Sequence, residues 1–100
     1  MLYDAWFSEV YVFKDSGVPR FYIRIPRHVC KERRIRSRMI LTVMTQGFVW
    51  SAPCELRTSP IRHYIRVPSR VALSCGFLPG ESLGVRLVSV ASPSSLSGHS

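Results

Sequence analysis

Apolar and polar side chains alternate along several short stretches, the period-two signature of strands. In residues 8–14, Ser-Glu-Val-Tyr-Val-Phe-Lys, Val10 and Val12 share one face and Tyr11 and Phe13 the other. Asp15-Ser16-Gly17 followed by Pro19 is turn chemistry. Over residues 21–25, Phe21, Ile23 and Ile25 face one way, and Tyr22 and Arg24 the other. Residues 39–45 form an apolar strand, which Gln46-Gly47 turns into Phe48-Val49-Trp50 and Pro53 ends. Residues 56–60 are a weak strand or loop, 62–67 a strand, and 82–90 the last strand. Two short helices break this series. The first spans residues 27–35 after Pro26, with Val29, Cys30 and Ile35 inward. The second runs from Ser69 as cap to Cys75, is closed by Gly76, and turns Val71, Ala72 and Cys75 inward. Both are too short to stand without packing. Leu78-Pro79-Gly80-Glu81 is a tight turn, and residues 91–100, mostly Ser, Pro and Gly, read as a disordered tail.

The central strand occurs twice. Tyr22-Ile23-Arg24-Ile25-Pro26 returns 42 positions later as Tyr64-Ile65-Arg66-Val67-Pro68. At the same offset Val29 answers to Val71, Leu41 to Leu83 and Val43 to Val85. A fixed internal period of this kind marks a duplication. The copies are placed at residues 8–50 and 51–90 of a single domain, 1–90. Each copy reads ββαβ. Neither closes a sheet alone, but two can interlock into one small closed barrel with no free edge. The predicted fold is therefore mostly β with two short helices.

Composition changes the picture through charge. The chain carries a formal net charge of +8, almost all of it arginine, with only Lys14 and Lys31 besides. Between Arg20 and Arg38, seven arginines and Lys31 stand against Glu32 alone. Such a surface calls for a polyanionic partner. Cys30, Cys54 and Cys75 form no C-x-x-C pair, and their odd number argues against a disulfide framework. Met1-Leu2-Tyr3-Asp4 has no signal-peptide character, and no apolar run approaches bilayer thickness. A cytoplasmic protein with no membrane association is expected.

Little speaks for catalysis. The six acids are scattered and no Ser–His–Asp set is indicated, so no enzyme activity, no cofactor and no metal are expected. His28 and His63 have no Cys or carboxylate at ligand spacing, and suit surface or phosphate-touching roles. Cys30 and Cys75 suit core packing. Trp6, Phe7 and Trp50 are expected in the core.

A strand ending in Val67-Pro68, a short helix carrying Val71, then Gly76-Phe77, Pro79-Gly80-Glu81 and Leu83 resembles the AbrB-like swapped-hairpin family. The first copy keeps Ile25-Pro26, Val29, Ile35 and Leu41, but Arg34, Ser37, Arg38 and Met39 stand where the glycine and the Pro-Gly-acid turn would be. The resemblance covers residues 8 to 90. Double-psi and related cradle-loop barrels share the duplicated ββαβ plan. Family members usually carry one motif per chain and exchange hairpins in a homodimer. Two motifs in one chain imply a pseudo-dimeric monomer, with a homodimer as the other arrangement.

The resemblance also implies DNA binding through arginines near the central strand and helix. The candidates are Arg20, Arg24, Arg27, Arg33, Arg34, Arg62, Arg66 and Arg70. Arg20/Arg62 and Arg24/Arg66 form a two-fold-related set, with Tyr22 and Tyr64 on the same face and able to rest against sugars or bases. An arginine fork donates in pairs to phosphate oxygens and guanine edges. The expected function is nucleic-acid binding, DNA before RNA, as a regulator or architectural protein. The alternative is a module that docks on a protein, or on RNA within a larger assembly.

Overall fold

The computed structural model describes residues 4–93. In chain order the elements are β1 (Ala5–Glu9), β2 (Tyr11–Asp15), β3 (Val18–Ile25), α1 (Arg27–Arg33), β4 (Ile40–Thr45), β5 (Phe48–Arg57), β6 (Arg62–Arg66), α2 (Ser69–Cys75) and β7 (Ser82–Ala91). The fold is mostly β, as expected. The strands form one strongly curled antiparallel sheet, a half-barrel in outline, in the order β1-β7-β4-β5-β6-β3-β2.

Several boundaries differ from the sequence reading. The first strand begins at Ala5 and breaks at Val10, so Val10 is buried while Val12 is exposed. Pro53 does not end β5; it stands opposite Ile40, and the strand continues to Arg57. Ser69 is not the helix cap. Pro68 holds that place in extended conformation, with no side-chain cap hydrogen bond. Ala91 belongs to β7, and residues 94–100 of the expected tail lie outside the described residues. Phe7 is exposed rather than in the core, its ring lying across the strand partner Gly84.

The repeat recurs in the backbone. α1 and α2 stand 42 positions apart residue for residue, as do the starts of β4 and β7. Two pairings are symmetric under that offset. In β3–β6, Ile23 faces its own counterpart Ile65, and the pair Tyr22–Arg66 mirrors Arg24–Tyr64. In β4–β7, Met44 faces its counterpart Arg86, and Val43–Leu87 mirrors Thr45–Val85. A bulge in β7 leaves Val88 without a partner opposite β4.

The strand that opens each copy is shifted by two more residues. Trp6–Val85 corresponds to Trp50–Val43, and Phe13–Arg20 to Arg57–Arg62, so these strands repeat at 44 rather than 42. The cause is loop length. Ser16-Gly17 is a two-residue turn with both φ angles positive, the geometry of a type I′ hairpin. Its counterpart is the four-residue loop 58–61.

Each opening strand changes partners halfway. The chain from Ala5 to Asp15 leaves β7 for β3, and β5 leaves β4 for β6. At the bend, Val10 donates its N–H to Glu81 O and accepts from Gly80, both at 2.8 Å. Cys54 donates to Met39 O and accepts from Arg38, both at 2.7 Å. The buried backbone groups of the bend are thereby satisfied. The turns that satisfy them have the same shape despite different sequences. Arg34 and Arg38 carry left-handed φ angles of 54° and 77°, where Gly76 and Gly80 carry 66° and 83°. The Arg36 N–H meets Met39 Sδ where the Leu78 N–H meets the Glu81 carboxylate.

The core lies on one face of the curled sheet, closed by the helices. Ile23, Ile25, Ile65 and Val67 are buried in it as expected, with Leu41, Val43, Leu83 and Val85 at repeat-related positions. Trp6 and Trp50 are also buried. Trp6 Nε1 donates to Arg24 O and Ser8 Oγ accepts the Arg24 N–H, so β1 serves the backbone of β3 where β2 has ended. Replacing Ile65 by Ala should lower unfolding stability by about 2–5 kcal/mol, because the cavity opens on the symmetry-related Ile23 contact. Arg66→Ala should change it by less than about 0.5 kcal/mol. Urea unfolding followed by circular dichroism measures both.

Candidate functional site

Strand period two sends alternate residues of β3 and β6 away from the core. On this opposite face Arg20, Tyr22 and Arg24 run along β3, and Arg62, Tyr64 and Arg66 along β6. Arg24 faces Tyr64 and is diagonal to both Arg62 and Arg66, a cross-strand separation of about 7–8 Å. Arg66 is exposed, and Arg20, Arg24 and Arg62 are half-buried.

The tyrosines are not available as expected. Tyr22 is 0% and Tyr64 8% exposed. They belong to a second small cluster, built where the two hairpins fold towards each other. Phe13 lies 5.2 Å from both Tyr22 and Tyr64, and Tyr11 5.5 Å from Tyr64, edge to face in the Tyr64 contacts. The Arg57 guanidinium sits 4.1 Å from the Phe13 ring centre and 4.8 Å from that of Tyr22, a cation–π contact. Half-buried Tyr11 and Phe13 are the rings that reach the surface.

Asp15 is the charge centre of this cluster. It accepts from the Tyr22 hydroxyl, from Arg57 at 3.4 Å, and faces Arg20 Nε at 4.0 Å. The Tyr22 hydrogen bond, with the two arginines, holds the Asp15 carboxyl below its ordinary range. Burial, then the same hydrogen bond, pushes the Tyr22 phenol up. Burial lowers the Arg57 guanidinium, but Tyr22 and Asp15 outweigh it and the net shift is upward.

An open groove of about 820 Å³ separates α1 from the β5–β6 loop. Arg24, Arg27, Lys31, Arg62 and His63 line it over a floor of Ile25, Cys30 and Ile35, with Pro60 and Ile61 as the far lip. None of its lining residues is acidic. The symmetry-related groove, about 240 Å³, lies between α2 and β3. Every residue lining it is the 42-offset counterpart of one in the first, but its chemistry differs. Ser69 stands for Arg27, Leu73 for Lys31 and Phe21 for His63, and Arg20 alone keeps the charge of Arg62.

The eight expected arginines thus separate. Arg24, Arg27 and Arg62 meet in the large groove, with Arg66 diagonal to Arg24. Arg20 lines the small groove and faces Asp15. Arg33 and Arg34 border another depression, with Glu32, Met39 and residues 88–90, and Arg33 is ion-paired with Asp4. Arg70 is exposed on α2 and lines neither groove. Lys31, Arg57, Tyr11 and Phe13 are the site residues that the sequence reading did not select; His63, read as a surface or phosphate-touching residue, lines the large groove. His28 is exposed on α1.

The thiols are poor nucleophiles: burial pushes Cys54 up to about 12 and raises Cys30 and Cys75 as well. Among the described residues no three His, Cys, Asp or Glu side chains group as a metal site, and no helix is long and apolar enough to cross a membrane. Neither the family models nor the characterised proteins compared with this chain match it.

The Asp15 network sets a pH dependence. Its folded-state pKa is lowered, so its contribution to stability is complete above the unfolded value of 3.8 and is lost as pH falls through the folded value. Asp15→Asn should therefore unfold at lower urea than the parent chain near neutral pH. The two midpoints should converge as pH falls below 3.8; a constant gap would show that the charge is not what Asp15 contributes.

Proposed function

We propose that this chain is a non-enzymatic nucleic-acid-binding protein of the cytoplasm. The observation that carries the reading is the convergence of Arg24, Arg27, Lys31 and Arg62 on one acid-free groove, continued by Arg66 on the same sheet face. A groove lined by one sign of charge concentrates the field and attracts a polyanion. Arg24 and Arg62 are half-buried on strands, while Arg27, Lys31 and Arg66 are exposed; the planar arginine fork loses less freedom for each hydrogen bond it makes to phosphate than its rotamer count suggests. The basic face carries phosphate contacts, which position a ligand without reading its sequence.

The proposal extends to architecture and to role. The curled sheet is a small closed barrel of two interlocked ββαβ halves, of the AbrB-like swapped-hairpin kind, complete in one chain. In support, β3 of the first copy pairs with β6 of the second, and β4 of the first with β7 of the second. Duplex DNA and a regulatory or architectural role enter from the family resemblance; the geometry of the groove supports nucleic acid in general.

If five cations contact phosphates, log K should fall with log salt at a slope of about −4.5 on duplex DNA and about −3.5 on a single strand. Arg24→Ala and Arg62→Ala should each reduce the slope by about one unit. Binding that ignores salt, or no binding to any nucleic acid at low salt, would sink the reading. A barrel complete in one chain also predicts a urea midpoint that is independent of protein concentration from nanomolar to micromolar. A midpoint that rises with concentration would mean that strands are exchanged between chains.

A further inference from the structure

The basic face is two-fold related in its arginines but not in its surroundings. At the 44-residue offset of the opening strands, Tyr11 and Phe13 answer to Glu55 and Arg57. The aromatic surface therefore exists on one side of the pseudo-axis only. The large groove is basic and its counterpart largely apolar, with Leu73 82% exposed. Both asymmetries lie against the same loop. Pro60 is a wall of the large groove and of a second cleft lined by Tyr11, Phe13, Arg57 and Tyr64.

We infer that this aromatic cleft takes unpaired nucleobases, so that the ligand is a single-stranded segment whose phosphates lie in the Arg24–Arg27–Lys31–Arg62 groove. The inference rests on the nucleic-acid reading above and takes a single strand in place of the duplex that the family resemblance suggests. The rings of Tyr11 and Phe13 are parallel within 2°, their centres 6.2 Å apart, and both are braced by the edge contacts with buried Tyr64. A braced, half-exposed ring loses little freedom when a base stacks on it, and stacking serves any base. Arg57 already covers Phe13 and Tyr22, whereas no cation lies over Tyr11 among the described residues, which makes Tyr11 the principal platform. Bases within a duplex are stacked on one another and offer no face to such a ring. A protein built to clamp a symmetric duplex would use both halves alike; here charge and rings favour one path, from the groove across Pro60 to Tyr11.

Anisotropy titrations of labelled twelve-nucleotide oligo-dT, oligo-rU and a blunt duplex of equal length test this. The single strands should bind more tightly than the duplex, and the dT and rU arms show whether the sugar 2′-hydroxyl matters. Tyr11→Ala should weaken single-strand binding about tenfold with an unchanged salt slope, and Tyr11→Phe should restore it. The Phe variant separates the ring from its hydroxyl, and the unchanged salt slope of the Ala variant shows that the basic groove is still folded. Duplex binding equal to or tighter than single-strand binding, or a Tyr11→Ala variant that binds like the parent, overturns the inference and leaves the salt-dependent nucleic-acid reading standing. Failure of all three ligands to bind overturns both.

Discussion

Ile23 opposite Ile65 is the constraint on which the rest of this molecule depends. Both side chains are fully buried, each contributing about 1.5–3 kcal/mol of apolar transfer. Because side chains alternate along a strand, that one register decides every neighbour. Ile25 and Val67 go to the core, and Arg24, Arg62 and Arg66 to the opposite face. A slip of one residue would drive the arginines into the core, where an unpaired charge is untenable. The pairing also fixes a pseudo-two-fold axis through the Ile23–Ile65 contact, and the β4–β7 register centred on Met44 and Arg86 obeys the same relation. Core packing and the charged surface are thus consequences of one pairing.

The bends at Val10 and Cys54 show a backbone requirement outlasting its sequence. Each bend leaves an N–H and a C=O that only the turn before β7 or β4 can meet. In the second copy glycines supply the left-handed residues of that segment at no steric cost. In the first copy Arg34 and Arg38 adopt the same angles with a Cβ, which disfavours the left-handed region by roughly 1–2 kcal/mol per residue. That cost is accepted because an unsatisfied buried backbone group costs a comparable amount. Met39 Sδ as acceptor in place of the Glu81 carboxylate is a weaker version of the same device.

What was legible in the sequence follows from this. The 42-residue period, the two helices and the inward isoleucines were readable, because each depends on local spacing and on one register. The 44-residue offset of the opening strands was not, because two extra residues in loop 58–61 hide Trp6 and Trp50 from an ungapped comparison. The burial of Tyr22 was equally hidden. Alternation places it beside Arg24 on an outward face, and only the approach of two hairpins distant in sequence covers it with Phe13 and Arg57. Arg33 and Arg34 follow Arg27 closely in the chain, yet the end of α1 turns them towards β7 and Asp4. Charge density along a sequence therefore overstated how many cations share one surface.

The same bookkeeping of charge locates the field. The molecule has few acids with which to offset fourteen basic side chains. Asp15 stands between Arg20 and Arg57, and Asp4 holds Arg33, so these arginines are partly neutralised within the fold. The large groove has no such neighbour among its lining residues. Duplication alone would have produced two equal grooves; replacement of Arg27 by Ser69 and of Lys31 by Leu73 at related positions leaves a single direction of strong field. A pseudo-symmetric scaffold with one charged groove and one aromatic cleft is therefore itself polar: its two related sides differ in charge and in the rings they bring to the surface.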